Sequence, residues 1–521
     1  MTPVDKEQYR LEQEAFVSNH GGTTPQDILL TLLPNVCGIL LTTTTLGVLR
    51  KHIHRNVRVV IEFILTVVPT VLCCTVLSEH IGSVCIVMIT ISVLNIMLLA
   101  SKGTNVIDLA MRPVAGKRPF ITNFRALTNI ITAICILAVD FRIFPRKFAK
   151  TEVFGYSLMD TGVGLFILAN ALVAPEARDF SVHRQARFEE ILTKNLRSCF
   201  RSCVPLLVLG LGRFVTVEYM GYQKHVTEYG IHWNFFMTLA VVKLFTSMIT
   251  STINSRYSLL SGIWILGMHE YIMNTKGFKT WILGDAPRDD FFSANREGLI
   301  SVPGYVGLYF VGVAVGRLIH STYQNSHTKL NMNISLKLYG LEFEASYNES
   351  MLLCIKLSLI SVQTCIATLF CDSYFKISRR LANAGYCMWI LTLTTTLLTL
   401  LLFVEVVIDI VNYVVNESHI ESKTERLRKN LRLNLKKNVE SEKKVHKEEG
   451  IVKRSLEIFD AVNYNGLFFF LLCNVITGLV NTLMYTLYAK PSTALLILII
   501  YMATSIFSTL ILYRMQIPIK L

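Results

Sequence analysis

Charge is scarce in this sequence, and acid is scarcer than base. Of 521 residues, 17% are charged and 52% are hydrophobic, and 37 Asp and Glu stand against 51 Lys and Arg. Soluble domains carry about a quarter of their residues as charges, so this chain is far more apolar than a soluble fold requires. The first 27 residues have no apolar segment of the signal-peptide kind, and the first spanning helix is expected to do the targeting. The twelve cysteines form no CxxC pair, and Cys73–Cys74 lies inside an apolar run. They are expected to be reduced, buried side chains, with neither a disulfide framework nor a metal site. No HExxH, P-loop, GxSxG or nucleotide-binding glycine pattern stands in a suitable context, so none of those chemistries is indicated.

What is present is a series of long apolar runs, with a mean hydropathy of +0.46. They fall near 28–49, 57–77, 81–100, 122–140, 157–173, 203–217, 232–252, 257–273, 301–319, 351–371, 387–412, 466–488 and 492–513. Runs of roughly 18 or more apolar residues read as transmembrane helices. The expected fold is all-α, a polytopic transmembrane bundle of about thirteen spans. The sixth run is short and broken by Pro205, Gly210 and Gly212; the 174–202 stretch before it reads as an amphipathic interfacial helix. A polar connection up to residue 350 has room for a small hairpin.

The organisation that follows is a tail (1–27), eleven helices with a charged loop at 140–156 (28–416), a charged excursion (417–454) and two last helices with a short tail (455–521). The excursion is rich in Lys, Arg and Glu, which suits a solvated helix or a disordered linker. A net charge of +14 reflects basic loops beside apolar segments rather than a nucleic-acid partner. Loops after odd-numbered runs hold roughly twice the Lys and Arg of the others, which puts the N-terminus outside the cytosol and the C-terminus inside it. The sequons at Asn333, Asn348 and Asn416 then fall on the cytosolic side and are expected to stay unglycosylated.

Charge inside a bilayer is costly and defaults to a functional hypothesis. The densest case is DFRIFPRKFAKTEVFGYSLMDTGVG, Asp140 to Gly164. Asp140 can act as a general base on a hydroxyl. Lys150 can stabilise an oxyanion or bind a phosphate, and Arg146 and Lys147 extend the basic cluster. Spacing alone favours reading Asp140 and Lys150 as an ion pair or as side chains reaching the interface. Asp160, near Gly162 and Gly164, fits helix packing or substrate contact. Arg125, Arg213, Lys243 and Lys356 are further cations within runs. In HWNFF, His232 and Asn234 open the seventh run; in SANREG, Arg296 suits phosphate and Glu297 offers a local ion pair. These features do not separate an acyl or glycosyl transferase from a lipid or sugar-phosphate transporter, or from a structural subunit of a transferase complex.

The motifs carry a resemblance. EAFVSN (14–19), RPFITNFR (118–125), AVDFRIFPRKFAKTEVFGYSLMDTGVG (138–164), YGIHWNFF (229–236), FFSANREG (291–298), SRRLANAGY (378–386) and NYNGLFFFLLCNVITGLVN (463–481) run the length of the chain. Together they resemble the inositol acyltransferases of glycosylphosphatidylinositol (GPI) anchor biosynthesis, the PIG-W/Gwt1 family. The resemblance implies about thirteen spans in the endoplasmic reticulum membrane, with a luminal N-terminus and a cytosolic C-terminus. It implies transfer of a fatty acyl group, usually palmitoyl, from acyl-CoA to the inositol 2-hydroxyl of glucosaminyl-phosphatidylinositol, without a tightly bound cofactor or metal. Asp140 would be the general base and Lys150 its electrostatic partner. Arg125, Arg146, Lys147, Asp160, His232, Asn234, Arg296 and Glu297 would contribute to substrate binding. The family more usually has Arg-Arg where this chain has Arg146–Lys147; neither Asp140 nor Lys150 departs from its pattern.

Overall fold

A computed structural model describes residues 6–18, 20–49, 53–101, 118–180, 188–220, 226–284, 286–326, 332–338, 341–347, 349–433 and 455–519. The helices, in chain order, are α1 (Lys6–Val17), α2 (Pro25–Leu49), α3 (Arg55–Cys73, with a π turn at Phe63–Val67), α4 (Ile81–Ser101) and α5 (Pro119–Ala138). They continue as α6 (Thr161–Ala171), α7 (Pro175–Arg178), α8 (Phe188–Met220), α9 (Val226–Tyr229), α10 (Phe235–Thr252) and α11 (Ser258–Met273). Then come α12 (Phe278–Leu283), α13 (Phe291–Ala294) and α14 (Arg296–Ser326). An antiparallel hairpin, β1 (Met332–Leu338) with β2 (Leu341–Tyr347), occupies the polar connection. The last helices are α15 (Glu349–Phe375), α16 (Ala384–Leu433), α17 (Glu457–Tyr464), α18 (Gly466–Leu483) and α19 (Pro491–Arg514).

The chain is thus an all-α membrane bundle with one small hairpin. Among the described residues, 11 helices are long and apolar enough to cross a membrane. The two remaining expected runs form α6 and α11, which are shorter. Two sequence expectations need correction. The sixth run is not an isolated short segment: it continues back through the amphipathic stretch as α8, 33 residues long with Pro205 inside. The fourth run stops at Ala138, so Asp140 sits in the turn beyond the helix rather than within it. The charged 417–454 excursion begins as an unbroken continuation of α16 to Leu433; its remainder, with Asn348 and the 102–117 loop, lies outside the described residues.

Helices α5, α14 and the first half of α16 form the centre, with most of each apolar window buried. Peripheral α4 shows the opposite face: Ile86, Leu94 and Met97 point outward, as lipid-facing side chains must when the solvent is hydrocarbon. Close helix contact relies on absent side chains. Gly312 and Gly316 of α14 form a G-x-x-x-G ridge on which a Cβ would collide with Leu168, Ala171, Leu172 and Ala177. Gly304 of the same helix lies against the backbone of the 376–383 connection, where a Cβ would overlap the Ala382 carbonyl. At the other end of the bundle, Glu457 binds Arg55 and Arg514 at 2.7 and 3.0 Å, joining α3, α17 and α19. Gly304→Ala is expected to destabilise the protein by about 1–3 kcal/mol through forced backbone shift, read as a lowered Tm in detergent.

Candidate active site

The site is built on the connection from Ala138 to Asp160. Phe141, Phe144 and Phe148 are fully buried and pin this polar segment to the core. Arg146 closes the first turn: it donates to the carbonyls of Val139, Phe141 and Phe144 at 2.9–3.1 Å. Its guanidinium is covered by the Phe16 ring of α1 at 3.9 Å. The segment is held on both flanks. Thr23 N–H donates to Tyr156 O at 2.7 Å on the N-terminal side, and Gly155 N–H donates to Ile377 O at 3.0 Å on the other.

Asp140 is almost fully buried. Its Oδ2 accepts from Asn481 Nδ2 at 2.7 Å, which ties the turn after α5 to the far end of α18. Among the described residues its Oδ1 has no hydrogen-bond donor. Burial pushes the Asp140 carboxyl up to about 6, against the opposing pull of the Asn481 hydrogen bond and of the Arg146 and Lys150 charges. Lys150 does not pair with it. Lys150 Nζ lies 2.8 Å from both carboxylate oxygens of Glu228 in α9. Burial alone would raise Glu228, yet Lys150, Arg379 and Arg213 hold it lowered to about 2.

Asp160 is the hub of a second, buried network. Arg379 Nε donates to its Oδ1 at 2.7 Å. The Thr151 hydroxyl and backbone N–H both donate to its Oδ2, at 2.7 and 3.1 Å. Tyr386 OH donates to its backbone carbonyl at 2.8 Å. Arg379 also reaches Glu228 at 3.3 Å, so one chain of contacts runs Lys150, Glu228, Arg379, Asp160. Next to it, Arg380 and Arg288 share the buried Glu297.

The other sequence candidates are placed as follows. Arg296 is wholly buried and donates to the carbonyls of Ile282, Gly284 and Ala286. Those bonds cap the end of α12 and occupy the fork expected for phosphate. Asn234 caps α10, accepting from Phe236 and Met237 N–H and donating to Gly210 O at 2.8 Å. His232 is exposed, with its ring stacked parallel to Phe291 at 6.5 Å, and its backbone N–H binds Asn295 Oδ1. Lys147 pairs with Glu79 on the surface at 2.7 Å. Arg125 lies in α5, toward the opposite end from Asp140. The structure therefore gathers Asp140, Arg146, Lys150 and Asp160 on one connection, with Glu297 joined through Arg380. His232, Asn234 and Arg125 do not touch the Asp140 turn among the described residues. Among the described residues, no three His, Cys, Asp or Glu side chains gather as a metal set.

The GWT1 family profile matches residues 9–512. The chain belongs to the GWT1 family. It is 31% identical over 527 residues to the mouse (Mus musculus) glucosaminyl-phosphatidylinositol-acyltransferase PIGW, covering 95% of each chain. It is 32% identical over 536 residues to the bovine (Bos taurus) protein of the same name, covering 98% of each. The similarity to GPI-anchored wall transfer protein 1 of Saccharomyces cerevisiae is 32% over 415 residues, 78% of this chain and 75% of that one.

For this GWT1-family chain, sequence reasoning missed Asn481, which holds Asp140, Thr151, which holds Asp160, and Glu228, which holds Lys150; Arg379, which beside Arg380 reads in the sequence as an interfacial anchor, is instead buried against Asp160. Asn481 and Arg379 did stand inside the stretches that carried the family resemblance, and an amide near the end of an apolar run was a usable signal. Thr151 stood inside such a stretch too, directly after Lys150, but only the fold opposes it to Asp160, as it opposes Glu228, which lay outside them, to Lys150. Asp160→Ala would take from the buried Arg379 its 2.7 Å partner, leaving the Glu228 contact at 3.3 Å, and is expected to cost about 3 kcal/mol. Thermal unfolding in detergent checks this, and Arg379→Ala should give a loss of similar size.

Proposed function

We propose that this chain is the inositol acyltransferase of GPI-anchor biosynthesis, moving a fatty acyl group from acyl-CoA to the inositol 2-hydroxyl of glucosaminyl-phosphatidylinositol. The supporting observation is Asp140: a buried carboxylate beyond the end of a membrane helix, fixed by Asn481 through one oxygen and, among the described residues, without a donor on the other. In this reading Oδ1 accepts the proton of the 2-hydroxyl as the oxygen attacks the thioester carbonyl. The acyl carbon–oxygen bond forms, the carbon–sulfur bond breaks, and the CoA thiolate leaves. A thioester is already activated, so positioning and oxyanion stabilisation suffice.

Lys150 is the nearby exposed cation. Glu228 holds its ammonium in place, and its charge acts on Asp140 without an ion pair that would occupy the base. It is suited to the oxyanion or to the lipid phosphate. The acyl chain has an apolar wall in Phe166, Phe235, Phe236 and Phe470, whose rings meet at 5.5–6.0 Å; burying a chain there contributes about 0.8 kcal/mol per CH₂. Asp160, Arg296 and Asn234 act by positioning. The finer assignments belong to the same proposal: palmitoyl-CoA as donor, an endoplasmic reticulum location, a luminal tail at 1–27 and a cytosolic excursion at 417–454.

Purified protein given palmitoyl-CoA and glucosaminyl-phosphatidylinositol should yield an alkali-labile acyl-inositol product; an active preparation that makes none would refute the assignment. Asp140→Asn should lower turnover at least about 10²-fold with the Tm unchanged within a few degrees. Asp140 works deprotonated, and its carboxyl is raised to about 6. The kcat/KM profile should therefore be flat above that pH and fall about tenfold per unit below it. Asn481→Ala removes a bond that favours the ionised form and should move this acid limb to higher pH.

A further inference from the structure

The N-terminal tail contributes none of the reacting groups, yet it lies along the connection that carries Asp140 and Lys150. In α1 the half-buried Tyr9, Glu12 and Phe16 recur at helical spacing, while Gln8, Leu11 and Ala15 on the other side are exposed. The helix is laid on the protein by one face. At its end the Phe16 ring covers the Arg146 guanidinium at 3.9 Å. Further on, the His20 carbonyl accepts from Glu152 N–H at 3.1 Å, and Thr23 N–H donates to Tyr156 O at 2.7 Å. Phe16, His20 and Thr23 thus meet Arg146, Glu152 and Tyr156 in the same order, and the tail follows the connection over that length.

The fit is close. Gly22 and Gly155 both hold positive φ, and a Cβ on Gly22 would overlap the Tyr156 carbonyl, as one on Gly155 would overlap the Gly21 carbonyl. Backbone lies on backbone at these points. The start of α1 reaches the other side. Tyr9 packs on Tyr485 and Tyr488 at 4.7 and 5.5 Å. Its hydroxyl lies 3.3 Å from Thr486 Oγ1 and accepts from Leu487 N–H at 3.3 Å, and Tyr488 OH donates to Glu12 at 2.6 Å. These partners belong to the turn just after α18, the helix that presents Asn481 to Asp140. Helix α1 therefore bridges the two segments that meet at the Asp140–Asn481 hydrogen bond.

A cover at this place has a chemical use. A base with an available oxygen beside an activated thioester will accept a proton from any hydroxyl that reaches it, and water is the most abundant. The water proton would pass to Asp140 as the water oxygen attacks the thioester carbonyl. The carbon–sulfur bond would break, the CoA thiolate would leave, and the acyl group would be lost as free fatty acid. An acyltransferase has to keep that water out. The point most open to it is Arg146. Among the described residues its Nη1 is buried without a hydrogen-bond partner, and the Phe16 ring is what stands over the guanidinium in place of solvent. Without the ring, a desolvated cation would draw water into the turn it clamps.

We infer that α1, with residues 20–23, is a water-excluding cover over the Asp140 turn, and that Phe16 and Tyr9 set how the acyl group is divided between the inositol hydroxyl and water. This rests on the acyltransferase reading. Both residues act by positioning: Phe16 keeps the Arg146 clamp dry, and Tyr9 holds the other end of the cover on the turn after α18.

The test follows palmitoyl-CoA into two products, free palmitate and acyl-inositol, using the full-length protein with and without glucosaminyl-phosphatidylinositol. Phe16→Ala should raise the ratio of hydrolysis to transfer about tenfold, the size of one lost cation–π contact on a desolvated arginine. Phe16→Tyr, which keeps a ring over Arg146, should restore the wild-type ratio. The added hydrolysis should vanish when Asp140→Asn is combined with Phe16→Ala, because water uses the same base. An unchanged ratio, whether or not transfer falls, would overturn the inference and leave α1 a structural tie. Hydrolysis that survives Asp140→Asn would overturn it as well, since the water would then react elsewhere. If Phe16→Ala does not fold, Tyr9→Ala decides: a raised ratio supports the cover, and an unchanged one removes it. Acyl-inositol formation by the wild-type protein tests the acyltransferase reading separately.

Discussion

A carboxylate taken out of water must either be paired or lose its charge, and the connection between α5 and α6 is arranged around two that resolve this differently. Asp160 is paired. Its oxygens meet Arg379, and Thr151 twice over, and it serves the fold. Asp140 has an amide and two nearby cations but, among the described residues, no ion pair, and is left with one oxygen to offer. The first makes the second possible: the Asp160 network fixes one end of the loop whose other end carries Asp140.

That loop is polar, and it is held at the bundle by three buried phenylalanines, by an arginine that closes its first turn and by flanking backbone bonds to segments distant in sequence. The N-terminal segment and the 377–383 connection bracket it through Tyr156 and Gly155. Helix α1 adds a further tie. Its Phe16 covers Arg146, and its Tyr9 packs on Tyr485 and Tyr488, just after the Asn481 helix. The two partners of the Asp140–Asn481 hydrogen bond are therefore both steadied by one short helix at the start of the chain.

Lys150 shows why a sequence pair is not a structural pair. Asp140 and Lys150 are near in sequence and opposite in charge, so an ion pair was a natural expectation. Glu228 from a distant segment takes the ammonium instead. An ion pair with Lys150 would lower the basicity of Asp140 and block it. Placing the cation on a third residue leaves its field without the contact. Arg296 followed the same logic in reverse: read as a phosphate ligand, its fork is spent on the carbonyls that end α12.

The sequence by itself determined the class, the family and most of the helical spans. Those follow from apolar run length and from motif strings, which are local properties of the chain. It also marked Asp140 and Asp160 as carboxylates in unusual surroundings. It did not tell them apart, because burial and partner choice depend on which segments the fold opposes. Asn481 lies 341 positions from Asp140 and Arg379 lies 219 from Asp160; no local pattern encodes either pairing. The position of α5's end had the same origin: hydropathy extended the run through Asp140, whereas the Arg146 clamp on three carbonyls holds a turn there. Only the tertiary structure decided which carboxylate holds the loop and which is left with an oxygen to offer, since in a medium of low dielectric that choice rests on the partners brought within hydrogen-bonding distance.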